Sequence, residues 1–212
     1  MIRVYAFASQ LERLPDLSGV GGAPLEARAL EDVTAVVSRE VGPRTGDPRE
    51  DAVAHGLVVE GLTVLARAVL PVRFGERFAD DSTLARELQS RLGGIRRALV
   101  RVSGCVEIGV RVAAATPPRS AVAATGTDYM HERLARLAEH DAITHELHER
   151  LEDLSRASVQ ASHGAFEAAY LVERSQLDVV QAAVRRFAAS HPELTVVSTG
   201  PWAPYSFGSD AS

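Results

Sequence analysis

From Ile2 to Phe7 apolar and polar residues alternate with β-branched and aromatic types among them, a pattern that predicts a first strand. A Gly- and Pro-rich stretch from Pro15 to Pro24 follows and reads as loop. Alternation returns over Leu25 to Leu30 and Val33 to Ser38, with Glu31-Asp32 between them, so a hairpin is expected. The period then changes. Asp47-Pro48 opens a helix with Glu50 and Asp51 in its first turn, where carboxylates favour the positive helix end. Val53, Leu57, Val58, Leu62 and Leu65 keep three-to-four spacing, which predicts one buried face and a helix reaching Ala68. The run VLPVRFG is β-prone but holds Pro71, so it is expected at an edge or a bend. A second helix is predicted over Asp81 to Val100, with Leu84, Leu88, Leu92, Ile95 and Leu99 inside and Gly93-Gly94 as a weak point.

The remaining chain carries a clearer order. Val102 to Ala113 reads as a strand, ATPPRSAVAATG as a loop, and Asp128 to Leu154 as a long helix capped by Thr127. Strands at Ala157 to Ser162 and Phe166 to Glu173 flank the turn-like pair His163-Gly164. Ser175 opens a helix to Ala189 with Leu177, Val180, Val184 and Phe187 on one side, and Glu193 to Ser198 closes as a strand. The sequence of elements is β-α-β-β-α-β, the split βαβ or ferredoxin-like arrangement. The fold class expected is therefore α+β in two domains: residues 1–101 as an N-terminal α+β domain, and residues 102–212 as a ferredoxin-like domain with an aromatic tail.

Composition narrows the class without changing that picture. In 212 residues, 46% are hydrophobic and 24% charged, ordinary for a globular protein that folds without bridges or metals. The net charge of -5, from 23 basic and 28 acidic residues well mixed along the chain, argues against a nucleic-acid partner. Every one of the basic residues is Arg; Lys and Asn are absent. The single Cys105 lies in the apolar run SGCVEIGVRV and is expected as a packed core thiol. No stretch approaches about 18 consecutive apolar residues, so no membrane partner is expected and the location predicted is cytoplasmic.

The motifs of common enzyme chemistry are missing. There is no G-x-S-x-G, no dinucleotide fingerprint, and no P-loop, which would need a Lys. On the long helix Asp141, His145, His148 and Glu152 fall within an arc of about 60°. The two His stand at i and i+3 rather than i and i+4, and no third ligand is apparent, so Asp141–His145 and His148–Glu152 pairs on a solvated face are the expectation. Neither a catalytic residue, a metal nor a cofactor is assigned.

Two segments stand out as contact candidates. In VLPVRFGERF, Arg73, Phe74 and Gly75 place a guanidinium fork, an aromatic ring and a permissive backbone side by side; core packing by Phe74 and Phe78 with an ion pair to Arg73 is the plainer outcome. In GPWAPYSF, Trp202 and Tyr205 are amphipathic anchors held between prolines, and packing of the tail across its own domain is the alternative.

Taken in order, IRVYAF, His55 with the helix leading into VLPVRFGERF, GCVEIGVRV, GTDYMHERL and GPWAPYSF resemble the gas vesicle protein GvpL/GvpF family across nearly the whole chain. The resemblance implies a two-domain α+β accessory protein without catalytic activity, associated with gas vesicles and acting in their assembly. Its implied partners are the shell protein and other gas vesicle accessory proteins, and Arg73, Phe74, Gly75, Trp202 and Tyr205 are the contact residues expected. The rival reading is a small-molecule-binding or enzymatic protein of the dimeric α+β barrel type built on the ferredoxin-like half.

Overall fold

The computed structural model describes residues 1–40, 46–114, 141–161 and 166–208. The chain divides into two compact units, Met1–Glu107 joined by the segment from Pro201, and Ile108–Gly200.

The first unit holds β1 (Ile2–Leu11), β2 (Leu25–Leu30), β3 (Val33–Arg39), α1 (Pro48–Leu65), β4 (Ala66–Pro71), β5 (Arg77–Phe78) and α2 (Asp81–Val102). Its sheet runs in the order β2-β3-β1-β4, with β5 also paired to β1. Pro71 ends the edge strand β4, where its missing N–H costs no ladder bond. The predicted hairpin is present, with Leu30 opposite Val33 and Glu31 turning the chain at φ 56°. Register partners share a face, so Ala6, Ala8, Val36 and Val69 form one side, and there they meet Val58, Val59 and Leu62 of α1. The other side carries Phe7, Ala35, Leu70 and, opposite Ala35, Arg28, whose Nε lies 3.4 Å from Asp81 at the start of α2. Helices on both faces explain why β1 is buried from Ile2 to Ala8 and extends to Leu11, although its sequence alternates.

Three expectations are corrected here. Helix α1 ends at Leu65, because Ala66 and Ala68 are drawn into the ladder opposite Leu11 and Ser9; sheet pairing overrides the helix preference of alanine. The inward stripe of α1 is Asp51, His55, Val58, Val59 and Leu62, while Val53 and Leu57 are exposed. Helix α2 runs past the expected Val100 to Val102, with seven buried residues holding it through the Gly93-Gly94 pair. Gly104 then turns the chain at φ 72°, its N–H bonded to Arg67 O at 2.9 Å, so the next strand starts at Cys105.

The second unit contains most of β6 (Cys105–Ala114), a helix described over 141–153 (α3), β7 (Ala157–Gln160), β8 (Phe166–Glu173), α4 (Leu177–Ser190) and most of β9 (Leu194–Trp202). The strand order is β7-β8-β6-β9. Ile108, Val110, Val112, Phe166, Ala168, Tyr170 and Val172 alternate along β6 and β8 and form one core with Leu147 and Leu151 of α3 and Val180, Ala183 and Val184 of α4. Both helices therefore cover the same face. The expected loop ATPPRSAVAATG, the Thr127 cap, the expected long helix before residue 141 and the turn at His163-Gly164 lie outside the described residues. The chain passes between the units twice, within β6 and within β9.

Candidate functional site

The β4–β5 loop and the closing segment are two surface features of the first unit. Val72 is buried as β4 ends, and its N–H bonds Tyr5 O at 2.9 Å. Its carbonyl accepts a hydrogen bond from His55 Nε2 at 2.9 Å, which ties the loop to α1. Beyond this anchor Arg73, Phe74 and Gly75 are all exposed, and Gly75 takes φ 105°, a conformation that suits glycine alone. Phe74 does not fill core, being 40% exposed, although Phe78 is half-buried on β5. Arg73 has no ion pair among the described residues.

What lies under Phe74 was not legible in the sequence. Arg3, which alternation marks only as a polar position, has no exposed surface. Its Nη2 donates to a Glu40 carboxylate oxygen that also sits 3.4 Å from Arg77 Nε. The Arg3 Cζ is 5.1 Å from the centre of the Phe74 ring. His55 meets that ring edge-on at 5.7 Å and stacks on Tyr5 at 5.0 Å. Burial, with the nearby Arg3 charge acting in the same direction, holds the His55 imidazole below its usual range despite the bond to Val72 O. Because a carbonyl only accepts, Nε2 carries a proton. Tyr5 completes the layer: its hydroxyl is 2.9 Å from Ser38 Oγ and accepts the Val20 N–H at 2.8 Å.

The closing segment is fixed to the same unit by its small and apolar positions. Ala203 enters the α1 core, Pro204 and Phe207 are buried, and Arg101 donates to Phe207 O. Glu107 receives the Ser206 N–H at 2.8 Å and the Ser206 hydroxyl at 2.9 Å. Burial raises the Glu107 carboxyl above its ordinary range, and the two Ser206 bonds only partly oppose this. Between these anchors Trp202 and Tyr205 are held outward, 44% and 46% exposed. Partial burial of its hydroxyl, together with the charges of Glu60 and Glu107, raises the Tyr205 hydroxyl above its usual range. Along α1 the exposed Val53, Leu57 and Val64 repeat at helical spacing, and Val64 is 84% exposed. No hydrogen bond, ion pair or ring contact joins the Arg73–Phe74–Gly75 group to Trp202 or Tyr205.

In the second unit the His face of α3 is only partly as expected. His145 lies 3.3 Å from Glu149 rather than pairing back to Asp141. His148 is 3.8 Å from Glu152, and its Nδ1 shares a 2.8 Å hydrogen bond with the buried Tyr170 hydroxyl. It is a packed ring bridging core and surface. Among the described residues no group of three His, Cys, Asp or Glu side chains is placed to hold a metal. No helix there is long and apolar enough to cross a membrane.

With this geometry established, comparison with known families is decisive. A model of the gas vesicle synthesis protein GvpL/GvpF family matches residues 2–209. The chain belongs to that family. It is 31% identical to gas vesicle protein F2 of Halobacterium salinarum, over 91% of this chain and 84% of that protein. It is 33% identical to gas vesicle protein L of a Streptomyces species, over 87% and 74% respectively. Crystal structures of GvpF from Anabaena and from Microcystis aeruginosa share its fold, with TM-scores of 0.80 and 0.79 at 16% and 15% identity, covering 98% of this chain and 95% and 98% of theirs. Membership gives this GvpL/GvpF chain a gas vesicle-related accessory role.

Proposed function

We propose that this GvpL/GvpF protein binds the gas vesicle shell protein during nucleation or early biogenesis, and does so without catalysing a reaction. The observation that carries the reading is the way the first unit displays aromatic rings on anchored backbone. Trp202 and Tyr205 alternate with buried Ala203, Pro204 and Phe207, and Phe74 projects from a loop pinned by the His55–Val72 bond. Trp202 and Tyr205, held this way, lose little conformational freedom on docking, which favours their use as interface anchors. The exposed Val53, Leu57 and Val64 of α1 add apolar area. The shell of a gas-filled compartment must present an apolar face, and its free subunits need a partner that covers that face before assembly.

In this reading Arg73, Phe74, Gly75, Trp202 and Tyr205 belong to the contact surface. The second unit, whose order β7-β8-β6-β9 with both helices on one face is that expected of a ferredoxin-like domain, serves as scaffold. The protein acts in the cytoplasm at the growing vesicle, beside other accessory proteins. Co-purification of shell protein with wild type, Trp202→Ala, Tyr205→Ala and Phe74→Ala tests the surface. Loss of shell protein from the variants, with their folds intact, is expected; full retention by all three removes these rings from the contact.

A further inference from the structure

We infer that the cluster beneath Phe74 is a binding site for one carboxylate, with Arg3 as its donor and Phe74 as its displaceable roof. Arg3 is wholly buried, yet its Nε and Nη1 have no hydrogen-bond partner. A buried guanidinium with unused N–H groups carries a large desolvation cost, and such a group calls for an occupant. Among the described residues, the one carboxylate at Arg3 is shared. The same Glu40 oxygen that meets Arg3 Nη2 also lies near Arg77 Nε, so it does not reach Arg3 Nε or Nη1. The His55 ring that meets Phe74 edge-on is also buried, with Nδ1 unpartnered.

Two free N–H groups on one guanidinium, Nε and Nη1, match the two oxygens of a planar carboxylate. Access is short, because the ring covering Arg3 is itself 40% exposed and therefore lies at the surface. Gly75 at φ 105°, next in sequence, supplies a backbone position free of a Cβ about which the ring can swing. The occupant is either a free small carboxylate or an Asp, Glu or C-terminal carboxylate of a bound protein. The second source rests on the shell-contact reading above, since Phe74 belongs to that surface.

The test uses the full chain and no shell protein, so its failure leaves the shell-contact reading untouched. Sodium acetate and the blocked amino acid N-acetyl-aspartyl amide are titrated against sodium chloride at equal ionic strength, and the Arg3 Nε–H resonance is followed by NMR with thermal unfolding in parallel. A saturable shift of that resonance is expected with the carboxylates and not with chloride. At acetate about five times its dissociation constant, a rise in Tm of about 2–4 °C accompanies it. Phe74→Ala, which removes the roof and leaves the donors, tightens the apparent affinity several-fold, and Arg3→Met, read by thermal unfolding, loses the rise in Tm with carboxylate. Saturation by acetate alone assigns the site to a free small carboxylate; saturation by both ligands assigns it to a protein side chain as well. An Arg3 Nε–H signal that follows chloride and carboxylate equally, in wild type and in Phe74→Ala, overturns the proposal.

Discussion

Replacing Gly19 by alanine isolates one packing contact of the first unit. Gly19 has φ -73° and ψ -174°, which alanine adopts freely, so the substitution carries no backbone strain. The obstacle is spatial. A Cβ at Gly19 comes within 2.3 Å of the Tyr5 hydroxyl oxygen, 3.1 Å of Tyr5 Cζ and 3.2 Å of Ala23 O. The hydroxyl cannot retreat without giving up Ser38 Oγ and the Val20 N–H, all in buried surroundings. Overpacking of this kind costs about 1–3 kcal/mol. Tyr5→Phe alone strands the Val20 N–H and the Ser38 hydroxyl, again about 1–3 kcal/mol. The double variant removes the 2.3 Å clash and leaves the contacts beyond 3 Å, so its loss falls below the sum of the singles by about 1–2 kcal/mol. Urea unfolding of the four proteins, followed by circular dichroism, measures the cycle. Additivity within about 0.5 kcal/mol refutes the steric account of Gly19.

Other expectations follow from the titrating groups and the loop. Glu107 has a folded pKa above its unfolded value, so its contribution is present at acid pH and is lost as pH rises from 4.5 through the folded pKa. Glu107→Gln keeps an acceptor for the Ser206 N–H, and its stability relative to wild type therefore improves from pH 4.5 to 7; a constant difference in denaturation midpoint across that range counts against it. His55 has the opposite sign: its folded pKa lies below 6.5, so acidification below that value destabilises the first unit, and His55→Gln flattens that part of the stability profile. Its ring resonances should titrate below 6.5 in the folded protein. Gly75→Ala, at φ 105°, costs about 1–3 kcal/mol although it touches nothing within 4 Å; a neutral effect in denaturant would mean that the loop relaxes to another conformation.

Periodicity alone located most elements, because a stripe such as Leu84, Leu88, Leu92, Ile95 and Leu99 has only one packing solution on a sheet. It failed where two periods compete. In α1, apolar residues surround much of the helix, and Val53 and Leu57 satisfy the spacing rule as well as Val58 and Leu62 do. The buried side is fixed by a polar residue, since His55 reaches the Val72 carbonyl, and such a pairing has no local signature. Arg3 was missed for a related reason. A strand covered on both faces has no solvent side, so alternation stops marking exposure there. The contact candidates divide similarly. Pro and Gly flagged the two segments, but only the packed structure separates inward Ala203 and Phe207 from outward Trp202 and Tyr205.

The return of the chain to the first unit at Pro201 bears on how the protein is made. A ribosome that has released residues 1–107 has delivered the first sheet and both its helices, but not Ala203 for the α1 core, nor the Phe207 carbonyl for Arg101. The nascent first unit must therefore wait for the whole second unit to emerge before it can close. A chain that stops before Pro201 lacks part of its N-terminal unit. Completion of that unit, and with it the outward display of Trp202 and Tyr205, is reserved for chains that extend through Phe207.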